Sequence, residues 1–159
     1  MGQFLLRQEH SPELLQFSHI SEFSLKKNAS ITLNSFSVSC SDCLRLYFIQ
    51  DGRFEWVINT QPYTLYPADL AIVLPGQELH AAKGHLEIGA FYCISLQISM
   101  EERRAGSFGS WSHISSQEFA AVNKIIFLNP ITVISGLPEA GLIFPAIRKE
   151  VFEQEVGFV

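Results

Sequence analysis

The residue types that can do covalent or metal chemistry are few in this chain. Cys40 and Cys43 have the C-x-x-C spacing of a dithiol pair or of half a zinc site. A structural zinc site usually needs four ligands, commonly two such pairs, and the sequence contains no second pair. The three cysteines are therefore predicted to be ordinary reduced thiols.

The sequence contains no signature motif of nucleophilic catalysis or of phosphate binding. No Gly-x-Ser-x-Gly elbow is present, and the stretch 106–110 lacks its spacing. No Gly-rich loop follows a strand and opens a helix. The 11 basic residues are scattered and the net charge is −5, a balance that disfavours nucleic-acid binding by this chain itself.

The elements that must position any site are short strand-like runs between residues 44 and 98. Turn signals separate them at nearly even spacing, among them Asp51-Gly52, the stretch 59–62 and Pro75-Gly76. This pattern predicts a mainly β fold, a small closed or sandwiched antiparallel barrel. Barrels of this size can enclose one small ligand.

The rest of the chain is divided by composition. We expect an N-terminal arm over 1–30, the barrel over 31–98 with a first strand at 31–38, and a loop or linker over 99–118. A capping box at Ser115 and Glu118 opens a helical segment, 119–159. Its last helix begins near Pro138 and places these apolar residues on one face: Leu142, Ile143, Phe144, Ile147, Val151 and Phe152.

Length and composition favour one globular domain. The chain has 159 residues, of which 47% are apolar, and no apolar run approaches the roughly 18 residues of a membrane span. The N-terminus lacks the pattern of a secretory signal. We therefore predict a cytoplasmic protein without membrane contact. Because the helical end is apolar, we also expect the natural chain to continue.

With these motifs in order, the middle of the chain resembles the N-terminal cupin-type sensor domain of AraC-family transcription regulators. The motifs that carry the resemblance are Leu46-Tyr47-Phe48-Ile49, Asp51-Gly52, Tyr63-Thr64-Leu65, Pro67-Ala68-Asp69-Leu70, the run 72–76, His80 and Ile94-Ser95-Leu96. The pattern at 143–150 resembles the helix that follows the barrel in that family. One departure is Ala68, where the family commonly has Gly; a negative φ would accommodate the alanine.

The resemblance implies a cupin-like antiparallel β-barrel, the double-stranded β-helix or jelly roll, followed by C-terminal α-helices. It further implies a small-molecule effector inside the barrel, of sugar or aromatic-like chemistry, and a homodimer formed through the helices. DNA would be contacted only by a helix-turn-helix domain expected downstream of this chain.

The same resemblance bears on catalysis. Metal-dependent cupins carry a His-x-His and a Glu in the first motif and a His in the second. Here the stretch 52–59 has no His, and only His80 stands at the second-motif position. A transition metal needs three or more converging ligands, so we predict no metal, no cofactor and no enzymatic activity. A stand-alone cupin enzyme, such as a sugar epimerase, isomerase or dioxygenase, is the alternative.

Candidate pocket residues follow from the alternation of strand side chains, if the resemblance fixes the register. The inward-facing candidates are Tyr47, Ile49, Trp56, Tyr63, Phe91 and Cys93, with His80 near the mouth. Aromatic rings can stack on sugars or ring compounds, and a hydroxyl or imidazole can orient them. For each aromatic residue, core filler is the favoured interpretation over ligand contact. A register slip of one residue would also reverse every inward assignment of a strand.

Overall fold

Two antiparallel sheets make up the domain. The computed structural model describes residues 2–31, 39–98, 113–128 and 131–154. The strands in this part of the chain are β1 (Phe4–Arg7), β2 (Ile20–Asn28), β3 (Ser39–Cys40), β4 (Leu44–Gly52), β5 (Phe54–Ile58), β6 (Gln61–Leu65), β7 (Leu70–Val73), β8 (Glu78–Ala81), β9 (Gly89–Leu96) and β10 (Val133–Ile134). They are arranged as β1-β2-β9-β4-β7-β10 and β3-β8-β5-β6.

The strand pairing is nested about the β5–β6 hairpin. Strand β5 pairs with β6, β4 with β7, β3 with β8, and β2 with β9. A long hairpin rolled up in this way is a jelly roll, the double-sheet architecture that includes the cupins. The predicted fold class is therefore confirmed.

The central hairpin turns where the sequence predicts a turn. Ile58 is opposite Gln61, so only Asn59 and Thr60 connect the strands. Both have positive φ, 49° and 69°, as a two-residue type I′ connection requires. The twist of this turn matches the twist of the strands that it connects. The other strand pairs of the roll are nested around this hairpin.

Gly52, the last residue of β4, lies opposite Gly89, the first residue of β9. Both have positive φ. A Cβ on Gly52 would overlap the carbonyl oxygen of Ile88, and a Cβ on Gly89 would overlap that of Asp51. Glycine is required at both positions because the two backbones approach too closely for a side chain.

The N-terminal segment differs from the expected arm. Strand β2 pairs with β9 from Ile20 to Asn28, and β1 adds to its other edge. The physical reason is a period of two: Phe23 and Leu25 are buried on the outer face of the sheet, and Ser24 between them faces inward. The first strand predicted at 31–38 lies almost wholly outside the described residues, as does most of the linker predicted at 99–118.

Within the described part of the chain, two α-helices follow the roll, as predicted. Helix α1 (Ser116–Asn123) begins at the predicted capping box, in which Ser115 and Glu118 bond reciprocally to one another's backbone N–H, and it continues as a π-helical segment, Lys124–Leu128. Helix α2 spans Ala140–Glu153. A short 3₁₀ turn, Pro12–Leu14, joins β1 to β2.

Helix α2 covers the outer face of the six-stranded sheet. The ring of Phe144 stacks on Phe48 and Tyr92, with centroid distances of 5.7 and 5.4 Å. The apolar face predicted for this helix is divided by the packing: Phe144 and Val151 are buried, whereas Leu142 and Ile143 are 76% and 55% exposed.

Ala68 has a φ of +73°, so the negative φ expected for it is wrong. The neighbouring Asp69 is buried, and its carboxylate oxygens accept hydrogen bonds from the backbone N–H groups of Tyr66 and Gly136, at 2.9 and 3.1 Å. The Leu137 N–H donates to the Ala68 carbonyl at 2.7 Å. These bonds fix the turn against the segment that leads into α2, and they hold the alanine in a left-handed conformation.

Candidate functional site

A cavity of about 720 Å³, partly open to solvent, lies on the inner face of the six-stranded sheet. We call it the polar cavity. Strands β1, β2, β9 and β4 form its floor, and the residues around β3 form a wall. The side chains that give it its chemistry are Arg7, Glu22, Ser24, Lys26, Ser39, Ser41, Arg45, Tyr47, Phe91, Cys93 and Ser95.

Strand register sets the polar groups in two adjacent rows. In one row Cys93 lies between Ser24 on β2 and Tyr47 on β4. In the next, Ser95 lies between Glu22 and Arg45 on the same two strands. Side chains directly opposite on neighbouring strands contact one another, so the rows form one continuous polar surface.

Arg45 is the buried cation of this surface. Its side chain is 5% exposed. Its two terminal nitrogens donate to the Ser39 hydroxyl and the Gln77 carbonyl, both at 2.9 Å. Its Nε is buried and has no hydrogen-bond partner among the described residues. The guanidinium thus joins β4 to β3 and to the turn before β8, and its Nε–H is left without an acceptor in the part of the chain that the structure describes. The Tyr47 hydroxyl also lies beside the guanidinium.

The hydroxyl and thiol beside Arg45 are held neutral. Burial, followed by the nearby Cys93, raises the pKa of Tyr47 well above its ordinary value of 10.0, although Arg45 acts in the opposite direction. Burial, followed by the charge of Glu22, raises the pKa of Cys93 from 9.0 to about 12. At neutral pH both groups therefore keep their protons and can act as hydrogen-bond donors.

The one acidic side chain among the named lining residues is already paired. Glu22 lies 3.6 Å from the Arg7 guanidinium, measured from carboxylate Oε2 to Nε. Lys26 stands further along the same strand and is exposed. Among the named lining residues, three side chains are cationic and one is anionic, so the polar cavity carries a positive balance.

The structure brings three of the predicted site residues together. Tyr47, Phe91 and Cys93 line the polar cavity. Phe91 and Tyr47 have ring centroids 6.0 Å apart and form its aromatic side. That they contact a ligand stays a prediction.

Three further candidates belong to the packed core between the sheets. Ile49 and Trp56 are completely buried there, and Tyr63 packs against the core from its edge. Trp56 lies edge-on to Phe91 and Tyr47, with centroid distances of 5.1 and 5.3 Å. The structure places these three as filler behind the cavity wall and not on its surface.

His80 lies away from the polar cavity. It is opposite Val57 on β5, between neighbours Leu79 and Ala81 whose side chains fill the interior, so it belongs to the outer face of the four-stranded sheet. It is half-buried, and its Nδ1 has no hydrogen-bond partner among the described residues. The geometry does not support His80 as a residue at the mouth.

Sequence reasoning missed Arg45, Ser39 and the β2 residues of the site. Arg45 has the same strand parity as Tyr47 and Ile49, both assigned inward, so the period of two already indicates its direction. A charged residue between Leu44 and Leu46 is the signal that was available. The β2 residues were missed because the segment was expected to be an arm.

The described ranges 2–31, 39–98, 113–128 and 131–154 contain neither a cluster of metal ligands nor a membrane-spanning helix. There, no three His, Cys, Asp or Glu side chains come together as a metal site would require. No helix in those ranges has the length and apolar character needed to cross a membrane. The predictions of no metal, no cofactor and a cytoplasmic location stay predictions.

Comparison with known proteins adds solved structures of low similarity. No protein-family model and no curated protein matches the sequence. A cupin protein from Bacteroides fragilis aligns with 62% of this chain and 79% of its own, at 17% identity and a TM-score of 0.44.

Two further structures align at similar levels. The Cnp3 cupin domain of Schizosaccharomyces pombe covers 66% of this chain and 70% of its own, at 14% identity and a TM-score of 0.41. A predicted oxalate decarboxylase from Thermotoga maritima covers 60% and 81%, at 11% identity and a TM-score of 0.41. The jelly-roll assignment follows from the strand pairing of this chain itself.

Proposed function

We propose that this chain is the effector-binding and dimerisation domain of an AraC-type transcription regulator, and that a small molecule binds in the polar cavity. The observation that carries the proposal is the cavity itself. Its volume of about 720 Å³ lies within the range of small-ligand sites, roughly 300–1,000 Å³. Buried polar groups and aromatic rings both line it, as in small-molecule sites where a few polar groups fix the orientation of the ligand.

The mechanism proposed is a shift of population between two arrangements of β1 and α2. Leu5 and Arg7 of β1 line the polar cavity. On the other face of β1, Phe4 lies 5.4 Å from the ring of Phe152 and 4.6 Å from the guanidinium of Arg148, both on α2. A ligand that contacts β1 therefore favours the state in which β1 is docked, and that state also holds α2.

The resemblance supplies the remaining parts of the proposal. The domain forms a homodimer through its helices, and a DNA-binding domain beyond this chain changes its posture on DNA when α2 is held. The net charge of −5 agrees with a sensor that leaves contact with DNA to another part of the protein.

A reporter fusion tests this function directly. The chain is joined to a DNA-binding domain that represses its operator only as a dimer, and cells are grown on a panel of sugars and aromatic compounds. Repression should appear with the fusion, and at least one compound should change it.

Two variants make the assay specific. Ser24→Trp fills the polar cavity and should abolish the response to the compound, whereas Thr64→Trp, on the exposed face of β6, should preserve it. A fusion that never represses would contradict the dimer. Repeated turnover of a small molecule by the purified chain would support the enzyme alternative instead.

A further inference from the structure

Arg45 is a buried charge that no carboxylate of the described residues balances. Ion pairs within the described residues join Arg7, Arg53, Lys83 and His10 to acidic groups, and none of them includes Arg45. Its two partners, the Ser39 hydroxyl and the Gln77 carbonyl, are neutral. Removing a charged side chain from water is costly unless an opposite charge compensates it.

The unpaired edge of the guanidinium has the shape of an anion site. Arginine carries five N–H donors in a rigid plane, and the hydrogen bonds to Ser39 and Gln77 occupy two of them. The Tyr47 hydroxyl also lies beside the guanidinium and is neutral, so it adds no opposite charge. The remaining donors include the Nε–H, which is buried and unpartnered among the described residues. An Nε–H with a neighbouring terminal N–H matches the two oxygens of a carboxylate.

The residues around Arg45 also suit an anionic ligand. Ser95 lies opposite it on β9, and the Tyr47 hydroxyl, which keeps its proton, is two residues along β4. Glu22 lies in the same row, but Arg7 already pairs with it. The aromatic side formed by Tyr47 and Phe91 offers a surface for an apolar group.

We infer that the polar cavity takes a small organic carboxylate with an apolar or aromatic body, and that Arg45 binds the carboxylate through its free edge. The inference rests on the proposed ligand-binding role of the cavity and narrows the effector from sugars or aromatic compounds to an anion. Neutral sugars leave the buried guanidinium uncompensated.

The first test observes the Arg45 Nε–H resonance of the full chain by ¹⁵N NMR, assigned with Arg45→Lys, in a buffer free of small anions. Benzoate and hexanoate serve as carboxylate probes, benzamide as the neutral analogue, and inorganic phosphate as an anion without an apolar body. At least one carboxylate should shift the resonance saturably. Benzamide should bind about ten-fold or more weakly than benzoate, because its amide offers one neutral acceptor oxygen where the carboxylate offers two charged ones.

Two variants are expected to change the affinity for carboxylates in opposite directions. Arg45→Lys keeps the charge but loses the planar fork, and it should weaken carboxylate binding measured by calorimetry about ten-fold. Glu22→Gln removes the competing negative charge and should strengthen binding several-fold. Arg53→Gln deletes an exposed arginine outside the cavity, and it should leave the affinity unchanged.

The outcomes separate this inference from the proposed function. If the Arg45 resonance responds to neither carboxylate, or if benzamide binds as tightly as benzoate, the anion site is wrong. A neutral compound that still acts in the reporter assay through Ser24 would then leave the sensor function standing. Equal binding of inorganic phosphate and benzoate would exclude the role of the apolar body.

Discussion

The alanine at position 68 occupies a backbone conformation that suits glycine. Its φ of +73° costs an L-residue roughly 1–2 kcal/mol, whereas glycine carries about 0.5–1 kcal/mol more conformational entropy to lose on folding. We expect Ala68→Gly to raise the free energy of unfolding in urea by about 0.5 kcal/mol. Ala82→Gly, in an exposed turn without positive φ, should lower it. An equal decrease in the free energy of unfolding of both variants would contradict the backbone strain at Ala68.

Cys93 makes the fold sensitive to alkaline pH. Its thiol has a pKa of about 12 in the folded chain, against the ordinary value of 9.0 that applies when the chain unfolds. Because the folded pKa is raised, its contribution is complete below pH 9.0 and is lost as the pH rises toward 12. The free energy of unfolding of the wild type should fall more steeply from pH 8.5 to 10.5 than that of Cys93→Ala. Parallel profiles would show that the thiol is not buried as described.

At the residue scale, sequence reasoning succeeded where strand alternation was sufficient and failed where pairing decides. Tyr47, Phe91 and Cys93 face inward as predicted, because the resemblance supplied the register of two long strands that are apolar on both faces. His80 lies on a four-residue strand, where it was predicted at the end of a turn. Its alternation with Leu79 and Ala81 and its pairing with Val57 set it on the outer face instead.

At the scale of elements, α2 is held by aromatic stacking and not by helix propensity. Pro145 lies inside the helix, where it removes a backbone hydrogen bond, yet the helix continues to Glu153. The buried ring of Phe144 between Phe48 and Tyr92 supplies the compensating contact. Phe144→Ala should therefore lower the free energy of unfolding by about 3–5 kcal/mol, measured by urea denaturation.

The matched control for this prediction is on the same helix. Leu142→Ala removes an apolar side chain that is mostly exposed, and in the monomer it should change the free energy of unfolding by less than about 0.5 kcal/mol. A Phe144→Ala variant as stable as this control would mean that α2 contributes little to the fold.

The helices could be predicted from the sequence and the first two strands could not. The Ser115–Glu118 capping box is a local signal, and the structure contains both of its bonds. Strand β2 gains its hydrogen bonds from β9, some 70 residues along the chain, and β1 pairs in turn with β2, so the stability of both depends on a distant partner. The alternation of Phe23 and Leu25 with polar neighbours was the one local sign of β2.

For the whole molecule, the ordered motifs were sufficient to predict a jelly roll, but not a cavity in it. The interior residues are of the same types in both regions: Trp56 and Ile49 fill the space beside Phe54, whereas Tyr47 and Phe91 face the polar cavity. The cavity exists because serines and a buried arginine replace large apolar residues on β2, β4 and β9. Strand register decides which of these residues lie side by side in one row of the sheet, and the sequence alone does not determine that register.

The proposed dimer is tested on the side of α2 that faces away from the sheet. Leu142 is 76% exposed and Ile143 beside it 55%, an unusual exposure for adjacent aliphatic residues on a helix whose opposite side is buried. Sedimentation equilibrium should find a dimer for the wild-type chain. Leu142→Glu should weaken its association at least about ten-fold, because a charge replaces an apolar contact near the centre of the interface.

Leu15 provides the control for association, since it is 70% exposed and lies after the 3₁₀ turn and not on α2. Leu15→Glu should leave the dimer unchanged, and both variants should unfold in urea like the wild type. Dimers that survive Leu142→Glu but not Leu15→Glu would move the interface to the N-terminal side of the domain. In that case ligand and partner would act on the same element, β1 and its connection to β2, and coupling through Phe4 and Phe152 would not be needed.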